Sequence, residues 1–346
     1  MTVVRVLVVD DSTLFADAMA SRLAEEPDID VVGMAHDGRT AVDRVRALQP
    51  DIVTMDVQMP VMDGLHAVEQ IMARCPTPIL VLTEDPHGEA GDRTFEALRR
   101  GALDVVRKPG ALPWRGEPFA EILARIRRLS RVPVIRHPGG RRHRWRAPPR
   151  PRRERVVEVI GIGASTGGPR ALSEILAALP STLRVPIVVV QHLAPGFTAG
   201  LCAWLERVTP LRVVVVDEAQ PLRPGTVFLA PTDRHVQVDR RGQLQLGDGA
   251  PQDGHRPSAT VLLRSLAEAY GAAAVGVLLT GMGRDGADGL AALHRAGATT
   301  IAQDAATSVV DGMPKAARDA GVASVVAPLG RIAPLLLELG GTRSTS

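Results

Sequence analysis

Apolar residues along this chain follow two alternating periods. Short β-branched runs are followed by segments in which apolar residues recur every three or four positions, which is the helical period. Strands that alternate with helices predict parallel sheets covered by helices. The predicted helices include residues 14–23, 40–48 and 171–179. The predicted strands are residues 3–9, 31–34, 52–55 and 79–82, and then 156–162, 185–190, 213–216, 227–229, 275–279 and 299–302.

A segment without apolar periodicity separates the two alternating regions. Residues 129–155 are rich in Pro and contain ten Arg but one Glu. They contribute about +9 to a net charge of +3, so the rest of the chain carries about −6. We interpret the segment as a solvated linker, with docking to an acidic protein surface, an anionic membrane surface or nucleic acid as alternatives. The predicted domains are therefore residues 1–128 and 156–340, joined by the Arg/Pro-rich linker 129–155.

The remaining composition bears on location and class. Cys75 and Cys202 lie far apart without CxxC or Cys/His spacing, which predicts neither a disulfide nor a zinc site and is typical of a cytosolic redox context. The first apolar run reaches two aspartates too early for a signal peptide, and no apolar stretch approaches the roughly 18 residues of a spanning helix. We expect a cytoplasmic protein that neither inserts into membranes nor binds nucleic acid.

Polar residues cluster at the predicted strand ends of the first domain. Asp10 and Asp11 follow the first strand, Asp56 follows the third, Thr83 follows the fourth, and Lys108 precedes a proline. Functional groups of open parallel sheets collect at these ends. Converging carboxylates suit a hard divalent ion such as Mg²⁺, and one of them can attack a phosphoryl donor. Taken singly, the aspartates would be helix caps and the lysine a surface charge; the set favours a phosphoryl-accepting site.

These residues, with the run MDVQMPVMDG at 55–64, closely resemble the receiver domain of two-component response regulators. The resemblance implies a flavodoxin-like fold and a CheA-like histidine kinase as phosphodonor. The site residues that it implies are Asp56 as phospho-acceptor, Asp10, Asp11 and Asp56 as Mg²⁺ ligands, and Thr83 and Lys108 as contacts to the phosphoryl oxygens. Receivers often place an aromatic residue three positions before the lysine. Here it is Val105, so we expect the switch to use different packing.

The second domain contains a serine in a glycine-rich turn. Residues 161–169, GIGASTGGP, follow a strand, precede a helical pattern and contain Gly-x-Ser-x-Gly around Ser165. Such a turn exposes the serine at a helix N-terminus, where backbone N–H groups can receive an oxyanion. A phosphate cradle is an alternative, but there is no Gly-Lys-Ser/Thr ending and no acidic ribose partner. Another alternative is that Ser165 only caps the N-terminus of the following helix.

Two further strand ends provide partners for Ser165. His192 follows the strand at 185–190, and Asp285 follows the strand at 275–279. Three strand ends at one sheet edge can assemble a hydrolytic triad, although the order Ser, His, Asp differs from that of α/β-hydrolases. His192 as a purely structural histidine is an alternative reading. His255 is a rival base or substrate contact, and Asp288 is a weaker candidate for the acid.

The second domain resembles the catalytic domain of the CheB family through GASTGGP, QHLAPGFT, LTGMGRDGADG and AQDAATSVVDGMPKAA, over nearly all of residues 156–335. The resemblance implies a doubly wound α/β domain that hydrolyses glutamate methyl esters on methyl-accepting chemoreceptors, releases methanol and deamidates receptor glutamines. Ser165 would be the nucleophile, His192 the general base and acid, and Asp285 the group that holds the imidazolium, with no cofactor for this chemistry. We take the backbone N–H groups of Thr166 and Met282 as oxyanion-hole candidates.

In this family the unphosphorylated receiver blocks the esterase until phosphorylation, so the resemblance implies gating. Asp311 stands where relatives commonly have a larger side chain. Residues 227–246 hold Arg240-Arg241-Gly242 between two alternating runs, which predicts a β-hairpin attached to the second parallel sheet. The alternative function is a non-catalytic response regulator that acts through protein or nucleic-acid binding.

Overall fold

The computed structural model describes residues 3–84, 88–110, 117–132, 134 and 156–340. The chain divides into two compact units, residues 1–142 and 143–346. Most of the predicted linker, residues 133 and 135–155, lies outside the described residues. Within the described ranges, none of the helices has the length and apolar character needed to cross a membrane.

The first unit alternates strands and helices around a five-stranded parallel sheet of order β2-β1-β3-β4-β5. This is the flavodoxin-like strand order, so the predicted fold class of the first domain is confirmed. Its elements are β1 (Val4–Val9), α1 (Thr13–Ala24), β2 (Ile29–Ala35), α2 (Gly38–Leu48), β3 (Ile52–Asp56), α3 (Gly64–Arg74), β4 (Ile79–Thr83), α4 (Gly88–Arg100), β5 (Asp104–Arg107) and α5 (Glu117–Leu129).

Local sequence explains where these elements lie. Strands β3 and β4 are buried along their whole length, as expected for central strands of a parallel sheet that is covered on both faces. The side chains of Ser12, Asp37 and Asp63 accept backbone N–H groups at the starts of α1, α2 and α3. Such caps satisfy donors that a helix leaves unpaired at its first turn. The helices therefore begin just after the carboxyl ends of the strands.

The second unit contains a seven-stranded parallel sheet of order β15-β14-β13-β6-β7-β10-β8 and a small sheet of order β11-β12-β9. The prediction of a second α/β domain is confirmed. Its elements are β6 (Val159–Ala164), α6 (Gly168–Ala177), β7 (Ile187–Gln191), α7 (Thr198–Val208), β8 (Arg212–Val215), β9 (Gln220–Pro221), β10 (Thr226–Leu229), β11 (His235–Val238), β12 (Gln243–Gly247), α8 (Ala259–Tyr270), a 3₁₀ turn (Gly271–Ala273), β13 (Ala274–Leu278), α9 (Ala287–Arg295), β14 (Thr299–Gln303), α10 (Met313–Asp319), β15 (Val325–Ala327) and α11 (Leu329–Gly340).

The predicted hairpin forms, but its attachment to the parallel sheet was wrong. Strands β11 and β12 pair antiparallel and join β9 in the small, separate sheet. Val236, Val238 and Leu244 are buried in one cluster with Leu262 and Leu266 of α8. Because the apolar face of the hairpin is already covered by this helix, it needs no edge of the large sheet.

The centre of the large sheet positions the candidate site. Strand β6 lies between β7 and β13, with Ala164 opposite Gln191 and Gly163 opposite Leu278. The carboxyl ends of all three strands therefore meet at one edge. Ser165 and His192 directly follow this edge, and the loop after β13 leads to Asp285.

Candidate active site

The serine turn is fixed by backbone contacts on several sides. The N–H of Ser165 donates to the carbonyl of Thr280 at 3.1 Å, and its own carbonyl accepts from the N–H of Gly168 at 2.8 Å. That carbonyl also accepts from Nε2 of Gln191 at 2.8 Å. Gly167 has a φ of 78°, which favours glycine. Ser165 itself is half-buried at the start of the turn into α6.

The loop after β13 approaches this turn closely at Gly281. A Cβ built on Gly281 would lie 2.7 Å from Cβ of Ser165 and would also meet Sδ of Met313. The N–H of Gly281 donates to the carbonyl of Val310 at 2.9 Å, and its carbonyl accepts from Gly312 and Met313. Only a residue without a side chain allows this packing. The loop that carries Asp285 is thereby held against the serine turn.

His192 and Asp285 form a buried pair. Nε2 of His192 lies 2.9 Å from Oδ2 of Asp285, and their side chains are 9% and 0% exposed. Nδ1 of His192 is buried and, within the described residues, has no hydrogen-bond partner, so no hydrogen bond to the Ser165 hydroxyl is formed. With Nε2 facing a carboxylate, the proton of the neutral ring belongs on Nε2. Nδ1 is then the nitrogen that can accept a proton.

Asp288 does not compete for this position. It lies on α9 and pairs with Arg284 at 3.1 Å and with Arg264 at 3.7 Å. Its side chain is 46% exposed, whereas that of Asp285 is fully buried. Of the two candidate acids, Asp285 is the one that contacts His192.

The N-terminus of α8 binds the Asp285 carboxylate. The Ser258 hydroxyl donates to Oδ1 at 2.7 Å, the Ala259 N–H donates to Oδ2 at 2.7 Å, and the Thr260 N–H donates to Oδ1 at 3.0 Å. Helix N-termini favour negative charge because their first N–H groups lack partners within the helix. Burial acts to raise the pKa of Asp285, but the hydrogen bonds and charge of His192, with those from Ser258 and Thr260, hold it well below its usual range. Asp285 is therefore an anion facing His192.

His255 covers one face of the His192 ring. The two ring centroids are 3.8 Å apart, and the planes differ by 7°. His255 is half-buried. The ring of His255 lies flat against the face of the His192 ring, whereas Asp285 lies at the edge of that ring, next to Nε2. From the sequence, His255 was a candidate for a rival base or a substrate contact. The stacking of its ring on His192 was not predicted.

The two proposed oxyanion donors lie beside the serine turn. Thr166 is buried, and its carbonyl accepts from the Thr280 hydroxyl at 2.9 Å. Met282 is half-buried and directly follows Gly281, which is packed on Ser165. In the part of the chain that the structure describes, the backbone N–H groups of Thr166 and Met282 donate no hydrogen bond. Both are left available, and their role as oxyanion donors stays a prediction.

The strand ends of the first unit gather the other predicted residues. Carboxylate oxygens of Asp10, Asp11 and Asp56 lie within 4.8 Å of one another. Nζ of Lys108 is 2.8 Å from Oδ2 of Asp10 and 2.8 Å from Oδ2 of Asp56. Thr83 is buried at the end of β4, and its carbonyl accepts the backbone N–H of Lys108 at 2.7 Å. The five predicted residues are thus brought to one edge of the sheet.

Electrostatics at this edge favour an added cation. Burial, with the nearby charge of Asp56, raises the pKa of Asp10 to about 6 despite the opposing ammonium of Lys108. Burial acts to lower the pKa of Lys108, but the two carboxylates outweigh it and raise the value. The single positive charge of Lys108 therefore does not balance the negative charge of the three carboxylates. Hard oxygen donors with this surplus of negative charge fit Mg²⁺.

Comparison with known proteins assigns the family. The model of the "CheB methylesterase" family matches residues 160–336, and that of the "Response regulator receiver domain" matches residues 6–113. The chain belongs to the CheB methylesterase family. Among CheB relatives, a protein-glutamate methylesterase/protein-glutamine glutaminase 2 of Anaeromyxobacter dehalogenans is 48% identical over 97% of this chain and 97% of its own length. A protein-glutamate methylesterase/protein-glutamine glutaminase 3 of Myxococcus xanthus is 42% identical over 97% and 93%.

A solved CheB structure supports the fold of the second unit. The crystal structure of the Thermotoga maritima CheB methylesterase catalytic domain is 38% identical, with a TM-score of 0.52. It covers 53% of this chain and 98% of the solved chain. The resemblance to the CheB family and to receivers that the motifs indicated is thereby confirmed. The roles of individual site residues stay predictions.

Several supporting residues of this CheB chain were missed by the sequence reasoning. Ser258 precedes a helical pattern, and the N-cap preference of serine could have signalled its position. Gln191 holds the carbonyl of Ser165, and Phe15 lies under Lys108 with Nζ 4.7 Å from the ring centroid. Neither has a sequence signal, because both contacts join residues far apart in the chain.

Val105 and Asp311, the two positions at which the sequence departs from the family patterns, both have defined contacts in the structure. Val105 is fully buried in β5 opposite Val81, so a small apolar side chain fills this position. Asp311 pairs with Arg318 at 2.5 Å, and its Oδ1 is buried without a hydrogen-bond partner within the described residues. Arg318 also donates to the carbonyl of Gln303 at 2.8 Å. Asp311 is thus anchored in an ion pair beside the loop that carries Gly281.

Proposed function

We propose that this protein hydrolyses glutamate methyl esters on methyl-accepting chemoreceptors, deamidates receptor glutamines, and does so faster when Asp56 is phosphorylated. The observation that carries the proposal is the buried His192–Asp285 pair, 2.9 Å from Nε2 to Oδ2, at the strand end next to Ser165. The A. dehalogenans and M. xanthus relatives are named as protein-glutamate methylesterases and protein-glutamine glutaminases. Those names supply the substrate class.

The first chemical step is acylation of Ser165. Its Oγ forms a bond to the ester carbonyl carbon while its proton moves to Nδ1 of His192. The imidazolium that results is stabilised by the ionised carboxylate of Asp285. The backbone N–H groups of Thr166 and Met282 are assigned to the developing oxyanion, and one such donor is typically worth about 10² to 10³ in rate.

The second step releases the product and restores the enzyme. The C–O bond to the methoxy group breaks, His192 returns the proton, and methanol leaves. Water then attacks the acyl-enzyme with His192 as base, which yields a glutamate carboxylate and free Ser165. A glutamine side chain follows the same course with ammonia as leaving group. Both reactions therefore give the same receptor product.

The receiver site supplies the control. We assign Asp56 as the phospho-acceptor, Asp10, Asp11 and Asp56 as the residues that would hold Mg²⁺, and Thr83 and Lys108 as contacts to the phosphoryl oxygens. When bound, Mg²⁺ supplies positive charge that offsets the repulsion between these carboxylates and a phosphoryl group. Lys108 already pairs with Asp56, so its ammonium is in place to bind phosphoryl oxygen. A histidine kinase of the chemosensory type is the proposed donor.

The proposed domain limits follow from this division of labour. We assign residues 1–128 to the receiver, 129–155 to the linker and 156–340 to the esterase, and we place the protein in the cytoplasm.

The free energy that phosphorylation must provide depends on how strongly it changes the esterase rate. Moving a two-state ratio from 99:1 to 1:99 takes about 5.5 kcal/mol, and a partial switch needs much less.

The test is methanol release from membranes that contain methylated chemoreceptors. We would compare wild type, Ser165→Ala and Asp56→Ala, each with and without a small-molecule phosphodonor and Mg²⁺. Ser173→Ala is a matched control, because Ser173 is a buried serine of α6 whose hydroxyl donates to the carbonyl of Arg170 in the same helix. Wild type and the control should release methanol and respond to the donor, Ser165→Ala should release none, and Asp56→Ala should not respond. Absence of release from wild type under both conditions would favour a non-catalytic regulator.

A further inference from the structure

The stacked pair of histidines is a feature that the proposed chemistry does not use. His192 has Asp285 at its Nε2, while the face of its ring is covered by His255 at a centroid distance of 3.8 Å. A planar angle of 7° means that the two rings are nearly parallel. A ring in this position restricts rotation of the His192 side chain, because any tilt of one ring would run into the other.

His255 is carried by a rigid piece of chain. Gln252 and His255 exchange two backbone hydrogen bonds of 3.0 Å each, which close a tight turn through Asp253 and Gly254. Both turn residues have positive φ, 53° and 79°. Three residues after His255, Ser258 begins the cap that binds Asp285. One segment, residues 252–260, therefore holds both the carboxylate and the stacking ring that flank His192.

Stacking also bears on the charge that develops on His192. During acylation the His192 ring becomes a cation, and an aromatic face within 6 Å of a cation attracts it. The attraction is larger where water is excluded, and the His192 side chain is 9% exposed. A flat neighbour thus stabilises the imidazolium more than the neutral ring. That is the difference that accelerates a chemical step.

We infer that His255 is a positioning residue for His192: its ring fixes the plane in which Nε2 meets Asp285 and Nδ1 stays free for the serine proton, and its face stabilises the imidazolium. The inference rests on the proposed roles of Ser165 and His192. It assigns His255 neither a proton transfer nor a contact with the substrate. What matters is a flat ring rather than an ionisable nitrogen.

The experiment compares His255→Ala with His255→Phe in the full chain. Phenylalanine keeps a flat ring and has no nitrogen, so it separates stacking from acid–base chemistry. His294→Ala is the matched control, because His294 is an exposed histidine of α9. Two assays are used: methanol release from methylated receptor membranes, which gives kcat and KM, and labelling of Ser165 by a fluorophosphonate, which gives a labelling rate. In the labelling, Oγ bonds to phosphorus, fluoride leaves and His192 takes the proton, so no receptor is needed.

We expect His255→Ala to lower kcat and the labelling rate about tenfold, with KM within about twofold, in line with the size of one stacking contact. His255→Phe should recover at least about half of both wild-type rates. Melting curves of the variants establish that the fold is retained. A His255→Phe variant as slow as His255→Ala would overturn the inference in favour of proton transfer. A raised KM with unchanged kcat would overturn it in favour of substrate contact.

The two readouts separate this inference from the proposed function. If Ser165 is labelled in wild type with the expected His255 dependence but receptor membranes release no methanol, the substrate proposal fails and the positioning role stands. If wild type is not labelled at Ser165 at all, both fail.

Discussion

At the scale of residues, the buried carboxylate of Asp285 keeps its negative charge at neutral pH. Asp285 is fully buried, yet among the described residues four donors contact its two oxygens, including Nε2 of His192 and two backbone N–H groups of α8. Burial alone would favour the neutral acid, but these donors outweigh it and keep the pKa below the usual range. His192 therefore faces a permanent anion. In the proposed reaction this charge favours protonation of the imidazole.

Asp285→Asn is expected to lower kcat about 10³ to 10⁴-fold, because an amide cannot stabilise the imidazolium and can present the wrong hydrogen-bonding group to Nε2. It should also destabilise the second unit by about 2–4 kcal/mol at neutral pH.

The pKa of Asp285 is lower in the folded protein than its unfolded value of 3.8. Its ionised carboxylate therefore stabilises the folded state fully above that pH, and this contribution is lost as the pH falls below it. The stability gap between wild type and Asp285→Asn should thus shrink between pH 5 and pH 2. Urea unfolding across this range measures it; a gap independent of pH would contradict the account.

The residues that carry the proposed chemistry could be selected from sequence because they follow strands. Ser165, His192 and Asp285 each come shortly after an apolar run, and parallel strands bring such positions to one edge. Spacing alone did not separate Asp285 from Asp288. The choice depends on α8, whose N-terminus binds Asp285, and no local pattern links residue 258 to residue 285. The stacking of His255 is equally a product of tertiary structure.

At the scale of elements, the first turn of α8 links stability to activity. Its N-cap, Ser258, accepts the N–H of Val261 at 3.4 Å and donates to Asp285 at 2.7 Å. The same hydroxyl thus caps the helix and orients the carboxylate. Further along α8, Ser265 donates to the carbonyl of Leu262 and accepts the N–H of Val238 in the hairpin. One helix therefore contacts both the site and the small sheet.

Replacing Ser258 by Ala should cost about 1–2 kcal/mol of unfolding free energy, since both a cap and a buried hydrogen bond to a charge are lost. We also expect kcat to fall several-fold, because Asp285 loses one of the donors that orient it. Ser265→Ala is the control within the same helix: it should lower stability by a similar amount and leave kcat unchanged. Thermal unfolding and methanol release on both variants test this. Equal loss of kcat in the two variants would mean that Ser258 acts only through stability.

Periodicity predicted most of the strands and, among the helices, those at 14–23, 40–48 and 171–179, with ends that differ by at most three residues from those in the structure. The first catalytic-domain strand was expected at 156–162 and lies at Val159–Ala164, while the helix expected at 171–179 is Gly168–Ala177. The predicted attachment of the hairpin to the parallel sheet was wrong, because alternation shows which face of a strand is buried and not which element covers that face. Here α8 covers it. Partner choice between elements depends on contacts that local patterns do not contain.

At the scale of the whole molecule, a phosphoryl-accepting receiver and an esterase are joined in one chain. Both were predicted from motifs at strand ends, and the family matches at residues 6–113 and 160–336 agree with that division. The Arg-rich segment between them falls mostly outside the described residues. Its role as a solvated tether stays a prediction, because a segment without apolar periodicity offers no core from which its conformation could be deduced.

The central claim is that Ser165 and His192 act as one catalytic unit on receptor methyl esters, and the direct test is a double-mutant comparison of methanol release. Ser165→Ala, His192→Ala and the double variant would be measured on the same methylated membranes with phosphodonor and Mg²⁺. Residues that act as a unit lose nearly the full rate when either is removed. We predict that the double variant is within about threefold of each single variant, since no unit remains after the first change. Losses that multiply, or substantial methanol release by Ser165→Ala, would contradict the account.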